Sequence, residues 1–472
     1  MKSSNDFLEM LEELNPRLSG VLPELIYGFS SDSRKIKEGF AFSVLKGTQQ
    51  DGKAYITEAL AKGARLLLCE EFLDVAIPQI CIDDIRKANA LLADLFHAHV
   101  SENLKIIAVT GTNGKSSTAY IIQYLLNHLG KSTAIIGTLG RGLGGEMKAS
   151  ALTTPGAEEL HSFFAEVAKG GAEYVVLEAS SHGLDQQRLY GLGFEAVLFT
   201  NLSEDHLQYH GSMENYFSAK KSLFDDYDSK IKIVNSDDAY GKRLRDSQTK
   251  VFSQDPDSDC QVLQNSVKLE GTECLLPQLL GEYNIYNAAG AMLLVKEILG
   301  PSYVGKIKLA MEKFSGIPGR MELFKKNNGA QVIVDFAHAQ EALEKVICEL
   351  RKNCREKLSI VFGCGGDRDP ARRYGMGEAS DLADEVILTN DNPRSEDPQQ
   401  IINDILSSKK KEARVIFDRE QAIRLAWEEL EPNDCLLIAG KGHEEKQIFK
   451  DHIESFSDRS LCRKLIEEES SC

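Results

Sequence analysis

Three times along this chain, short apolar runs of strand length give way to stretches with helical spacing, and that alternation restricts the fold more than any other feature. Over 40–100, runs at 40–45, 65–69 and 79–82 alternate with helical stretches at 55–62 and 86–99. A second alternation starts at Lys105, with strands at 105–110, 133–137, 174–178 and 196–200 and a helix over 117–129. The third follows 316–319, where Pro318 breaks the helical pattern as a linker would, and has strands at 331–335, 358–362, 385–389 and 435–439. Such alternation gives mostly parallel sheets that bind ligands at the carboxyl ends of their strands. The expectation is an α/β protein of three domains. They span 1–100, 101–318 and 319–472, the last Rossmann-like, because 472 residues exceed what one hydrophobic core can organise. No low-complexity tract and no repeat of solenoid period interrupts the pattern.

Charge narrows the range of partners. The formal net charge of -17 works against non-specific attraction to nucleic acid or to an anionic membrane, so an anionic substrate must be held by local cations. The stretch Met1 to Met10 is mixed polar, without the apolar core of a signal peptide, and no run reaches the ~18 apolar residues of a membrane span. Ten cysteines with no C-x-x-C pair read as reduced thiols. A cytoplasmic protein is expected, with no nucleic-acid partner, no membrane insertion and no structural zinc.

The strongest local signal is Thr110-Gly111-Thr112-Asn113-Gly114-Lys115-Ser116-Ser117, between a strand and a helix. Glycines let backbone N–H groups curl round phosphate oxygens, Lys115 supplies a point charge to the terminal phosphates, and the Ser116 hydroxyl can ligate Mg²⁺. The match to a P-loop is incomplete, since Val109 stands where the usual spacing has its first glycine. Glu178, opening Glu178-Ala179-Ser180-Ser181-His182-Gly183 at the end of an apolar strand, is placed to hold Mg²⁺ if its strand neighbours the loop. Thr200-Asn201-Leu202-Ser203-Glu204-Asp205-His206 follows another strand, with His210 four residues on. That spacing suits zinc on a helix face, but Gly211 and the preceding strand point to a loop, where His206 reads as a further Mg²⁺ ligand.

These segments, with Tyr216-Phe217-Ser218-Ala219-Lys220, resemble the Mur ligases, the ATP-dependent amino-acid ligases of peptidoglycan precursor synthesis. The resemblance extends over nearly the whole chain. It implies a UDP-binding N-terminal domain, a central P-loop-type ATPase domain and an amino-acid-binding C-terminal domain. It also implies that Lys220 is carbamylated and helps hold a second Mg²⁺ beside the one on Ser116, Glu178 and His206, with Lys115, Lys220 and His206 catalytic. ATP would be bound by Gly111 to Ser117 together with Asn284, Arg320 and Asp335. Ser31 and Ser33, in Ser31-Asp32-Ser33-Arg34, resemble UDP-muramyl contacts, as do Thr48, Gln49 and Gln50, with Thr48 where many relatives have His. The muramyl-dipeptide would be held by residues matching Thr153, Thr154, Ser180, Gln186 and Arg188. Around Asp335, Phe336, Ala339 and Gln340 replace the more usual Tyr, Thr and Pro.

Asp391-Asn392-Pro393-Arg394 resembles the diaminopimelate signature of the family member that adds the third amino acid. An arginine fork can grip the distal carboxylate of meso-diaminopimelate in two bonds, whereas lysine offers only a cation there. Arg368, Gly440 and Glu444 match further diaminopimelate contacts, Glu444 being a natural partner for the distal ammonium. The implied reaction is ATP-dependent amide formation through an acyl phosphate, on UDP-N-acetylmuramoyl-L-alanyl-D-glutamate, by a monomer. Addition of L-lysine, a ligase like folylpolyglutamate synthetase, and a binding protein that hydrolyses ATP slowly or not at all stay open as alternatives.

Overall fold

The computed structural model describes residues 1–47, 51–144 and 146–470. The chain forms two compact units: 1–262 with 267–273 and 286–310, and 263–266 with 274–285 and 311–472.

Within the first unit, a sheet near the N-terminus runs Arg17–Ser19, Gln79–Cys81, Leu66–Cys69, Phe40–Ser43, Gly28–Ser30, parallel except for its first strand. Helix Ile85–Phe96 starts where the Asp84 carboxylate accepts from the N–H groups of Arg86 and Lys87, and it buries Ile85, Ala88, Leu92 and Leu95. The helical stretch expected at 55–62 opens instead with a 3₁₀ turn, Gly52–Tyr55, because Asp51 caps Lys53, and only Ile56–Ala61 is α-helical.

The larger sheet of this unit places Lys105–Thr110 between Tyr174–Glu178 and Phe194–Phe199, all parallel. Beyond them Thr133–Gly137 lies on one side and Ser229–Asn235 on the other. The chain therefore leaves Lys105–Thr110, steps two places one way, fills the gap, and then crosses to the opposite side. A crevice opens at such a reversal, outside the carboxyl ends of the strands. Ile106, Ile107, Ala108 and Val109 are all buried, as in a parallel strand covered on both faces, which is why these runs read as continuously apolar.

In the second unit the order is Glu322–Lys325, Gln331–Asp335, Cys435–Ala439, Leu358–Phe362, Glu385–Leu388, Arg414–Val415, parallel after the first. Cys435–Ala439, last of these in the chain, inserts between Gln331–Asp335 and Leu358–Phe362. The loops beginning at Phe336, Gly363, Thr389 and Gly440 thus emerge side by side at one edge. The parallel α/β architecture expected from the alternation forms in both units.

Candidate active site

The Gly111–Gly114 loop is laced to the strands on both sides of Lys105–Thr110. Thr110 Oγ1 donates to the Ala179 carbonyl (2.7 Å), Thr200 Oγ1 to the Asn113 carbonyl (2.6 Å), and Asn113 N to Asn201 Oδ1 (3.0 Å). Gly114, at φ +84°, lies where a Cβ would run into Asn287 Oδ1, so only glycine serves at the entry to helix Lys115–His128. The helix begins two residues earlier than its spacing suggests, which puts Lys115, Ser116 and Ser117 in its first turn. Lys115 Nζ donates to the carbonyls of Gly111 and Thr112, both at 2.9 Å, a point charge poised at the loop. Backbone N–H groups at a helix N-terminus beside a lysine form an anion site.

Glu178 and Ser116 are brought together as the motif reading required. Ser116 Oγ donates to Glu178 Oε2 at 2.9 Å, and Glu178 is only 1% exposed. Thr138, which no motif pointed to, supplies the rest: its N–H donates to Oε1 (2.7 Å) and its hydroxyl to Oε2 (3.1 Å). Its one sequence signal is its position, directly after strand Thr133–Gly137. Thr138 also reaches Thr153, hydroxyl to hydroxyl at 3.1 Å.

His206 stands at φ +54° as the N-cap of the short helix Leu207–His210, edge-on to the rings of His182 (4.9 Å) and Tyr216 (6.2 Å). Burial, then the charges of Lys115 and Lys220, push its pKa down against the pull of Asp205, favouring the neutral ring that can act as a ligand. His210 turns instead to Ser181 Oγ at 3.0 Å. Lys220, on helix Met213–Asp225, is 1% exposed, donates to the Gly111 carbonyl at 2.8 Å and lies 4.7 Å from the Tyr216 ring centre. Burial first, and Lys115 second, hold its amine well below the ordinary lysine range.

Ser116 and Glu178 are hard oxygen donors and fit Mg²⁺, which takes few protein ligands and fills its shell from water and substrate phosphates. An ammonium at Lys220 cannot ligate a cation; a carbamate there can. Among the described residues no group of three His, Cys, Asp or Glu side chains is set to hold a metal by itself.

Thr154, Ser180, Gln186 and Arg188 form a second cluster on the same unit. Thr154 Oγ1 donates to the Glu178 carbonyl (2.6 Å) and accepts from Ser180 N (2.9 Å). Arg188 donates to the Thr154 carbonyl (2.5 Å) and to Gln186 Oε1 (2.7 Å). Burial and the nearby Arg86 lower its pKa, and no carboxylate pairs with it among the described residues. A half-buried guanidinium without a counter-ion is a ready site for an anion. Ser31 and Ser33 fall apart from each other: Ser31 N and Oγ both donate to Glu158 (2.9 Å each), whereas Ser33 Oγ turns to Glu58 (2.7 Å). Thr48, Gln49 and Gln50 lie outside the described residues.

On the second unit, buried Asp335 accepts from Met321 N and Ala337 N, both at 2.7 Å, and burial raises its pKa against the pull of Arg320. The Arg320 guanidinium lies 4.6 Å from the Phe336 ring centre, so Phe in place of Tyr still offers an aromatic face. Asn284 Nδ2 donates to the Leu280 carbonyl at 2.8 Å.

The remaining residues meet at the edge where the four loops emerge. Arg394, at φ +54°, has its N–H on the Ile448 carbonyl (3.0 Å) and its guanidinium on the Gly366 carbonyl (2.7 Å). The turn of Gly366 is tight because a Cβ there would strike the Pro393 carbonyl. Asn392 Nδ2 donates to Glu444 Oε2 at 2.9 Å. Asp391 lies beside Gly440, and burial raises its pKa. Arg368, by contrast, is exposed. Two residues that motif reading passed over fix these loops. Arg419, wholly buried, pairs through Nε and Nη2 with Asp458 (2.7 and 2.9 Å) and also donates to the Ala439 carbonyl (2.9 Å). Lys441, equally buried, bonds Asn392 Oδ1 and Glu444 Oε2.

Three family models match the chain: "Mur ligase family, catalytic domain" over 25–110, "Mur ligase middle domain" over 109–295 and "Mur ligase, glutamate ligase domain" over 319–442. A UDP-N-acetylmuramoyl-L-alanyl-D-glutamate--2,6-diaminopimelate ligase of Clostridium perfringens (strain 13 / Type A) is 39% identical, over 92% of this chain and 94% of its own. One of the same name from Aquifex aeolicus (strain VF5) is 38% identical, over 93% and 94%. A solved structure of a ligase of that name superposes with a TM-score of 0.70 at 32% identity, covering 98% of this chain and 99% of the other.

Proposed function

The chain belongs to the Mur ligase family, and we propose that within it this protein uses ATP to join meso-diaminopimelate to the D-glutamyl γ-carboxylate of UDP-N-acetylmuramoyl-L-alanyl-D-glutamate, in peptidoglycan precursor synthesis. The observation that carries the choice of amino acid is Arg394, whose strained backbone and bond to the Gly366 carbonyl hold a guanidinium in the loop cluster that also contains Glu444. A fixed cation and a fixed carboxylate together complement the distal carboxylate and ammonium of diaminopimelate. Lysine would leave the guanidinium unpaired. The N-terminal Ser31-Asp32-Ser33-Arg34 and the Asp391-Asn392-Pro393-Arg394 loop weigh against a folylpolyglutamate synthetase-like ligase.

The chemistry follows from the clusters. Lys115 and the N–H groups opening its helix hold the phosphates of ATP, while Arg188 takes an anionic group of the acceptor. The acceptor carboxylate attacks the γ-phosphorus and ADP departs, leaving an acyl phosphate. The free amine of the amino acid then attacks the acyl carbon, and collapse of the tetrahedral intermediate expels phosphate and leaves the amide. Lys220, whose amine burial pushes toward the neutral form, takes up CO₂ at Nζ and loses a proton, becoming an anionic carbamate. Ser116, Glu178, His206 and the carbamate would hold Mg²⁺, which when bound supplies neutralising charge to the transferring phosphoryl group. In the same reading the protein is a cytoplasmic monomer with only small-molecule partners. Its charge of -17 disfavours nucleic acid, and among the described residues no helix is long and apolar enough to cross a membrane.

The test is ATP-dependent ligation onto UDP-N-acetylmuramoyl-L-alanyl-D-glutamate, with diaminopimelate and L-lysine compared for the wild type and Arg394→Ala. The wild type should prefer diaminopimelate, and loss of a charged hydrogen bond in the variant should cut kcat/KM for it roughly ten- to a hundred-fold. Equal use of lysine by the wild type would overturn the specificity, and product with neither would leave only nucleotide binding.

A further inference from the structure

We infer that Lys441 is a positioning residue of the amino-acid pocket, presetting Asn392 and Glu444 without touching the substrate itself; the inference rests on the ligase reading above. Lys441 is 0% exposed, so it cannot contact a ligand directly. Its three N–H donors are nevertheless all spent, on Asn392 Oδ1 (3.1 Å), Glu444 Oε2 (3.1 Å) and the Lys446 carbonyl (2.7 Å).

These bonds close a ring. Asn392 Nδ2 donates to the same Glu444 oxygen at 2.9 Å, and Asn392 Oδ1 also accepts from Ile448 N at 2.9 Å. Because a lysine offers only donors, Lys441 fixes which way the Asn392 amide faces: oxygen inward to the cation, nitrogen toward Glu444. It also engages one Glu444 oxygen and leaves the other available to an ammonium. The strand Lys446–Ile448 completes the frame, because Ile448 accepts from Arg394 N while donating to Asn392. One buried cation therefore ties together the 391–394 loop, the 440–444 loop and a strand. Without it, Asn392 would be free to flip, and Glu444 would have to be held without its buried counter-ion.

The test begins with wild-type turnover, which fixes whether diaminopimelate or lysine is accepted, and the variants are assayed with that amino acid. In Lys441→Met, KM for the amino acid should rise roughly ten-fold or more, while KM for ATP and for the UDP-dipeptide stays at the wild-type value. Lys441→Gln, which keeps an N–H donor for Asn392 Oδ1, should recover part of the loss and serves if Lys441→Met does not fold. In a Glu444→Gln background, Lys441→Met should add less than it does in the wild type, because part of its effect runs through the Glu444 carboxylate. An unchanged amino-acid KM, equal rises in all three KM values, or full additivity with Glu444→Gln would each overturn the inference while wild-type turnover stands. A wild type inactive with both amino acids would instead bring down the ligase reading on which it rests.

Discussion

Lys220 and Lys441 are each sealed from solvent, at 1% and 0% exposure, one in each compact unit, yet their surroundings differ in kind. Lys441 meets a carboxylate, an amide oxygen and a carbonyl. Lys220 meets the Gly111 carbonyl and an aromatic face, pairs with no carboxylate among the described residues, and feels Lys115 as a like charge. Burial costs both of them solvation, but only Lys441 has a carboxylate to offset it. The acceptors around a buried amine set how far burial weighs against its charge: a carboxylate offsets that burial at Lys441, and none does at Lys220.

The largest effect expected from this contrast is catalytic. Lys220→Arg places a permanent cation there and cannot form the carbamate, and kcat should fall roughly 10²–10³-fold, the usual loss when a preorganised charge at a reacting phosphoryl group is removed. A ¹³C carbamate resonance from labelled bicarbonate should be present in the wild type and absent from that variant; retained activity would erase the distinction between the two lysines.

Stability should separate them next. Lys441→Met takes one donor each from Glu444, Asn392 and the Lys446 carbonyl and should cost about 1–3 kcal/mol in urea unfolding. Lys220→Met takes one donor from the Gly111 carbonyl, which keeps Lys115, and replaces an amine whose charge burial disfavours, so its midpoint should not fall below that of the wild type.

The pH dependence sharpens the same point. The folded-state pKa of Lys220 lies below its unfolded value of 10.5, so between the two the unfolded chain binds the extra proton. In CO₂-free buffer, wild-type stability should therefore decline as pH falls from the unfolded value toward the folded one. The Lys220→Met variant should lack that component; parallel curves for the two would mean the amine is not depressed.

The smallest effect belongs to a group with partners to spare. Glu178 is held by Ser116 and by two donors of Thr138, so Thr138→Val removes one bond of three and should raise the Mg²⁺ requirement for activity about five-fold, the worth of one hydrogen bond. A collapse as deep as that of Lys220→Arg would make Thr138 a direct participant.

Much of the first site was legible because it is local. Gly111 to Ser117 is one continuous run whose residue types state the chemistry, Glu178 ends one apolar strand and His206 lies after another. The strand at 105–110 forms over those residues, since a strand buried on both faces is marked by its apolar run alone. The helix after the loop starts two residues before its spacing indicates, because residues 115 and 116 are polar and its start is set by Gly114. The amino-acid pocket was legible only by resemblance. Asp391 to Arg394, Gly440 and Glu444 lie far apart in the chain, and in isolation each segment reads as a turn.

The sequence by itself determined the alternation of strands and helices, the phosphate loop, and the family to which the motifs belong, because each of these is written in neighbouring residues. Only the tertiary structure decided that Cys435–Ala439 inserts beside Gln331–Asp335, that Thr138 reaches Glu178, and that two lysines become buried, one with a carboxylate partner and one without. The physical reason is that solvation and pairing depend on what packs around a group in space, and those neighbours come from segments that sequence distance does not connect.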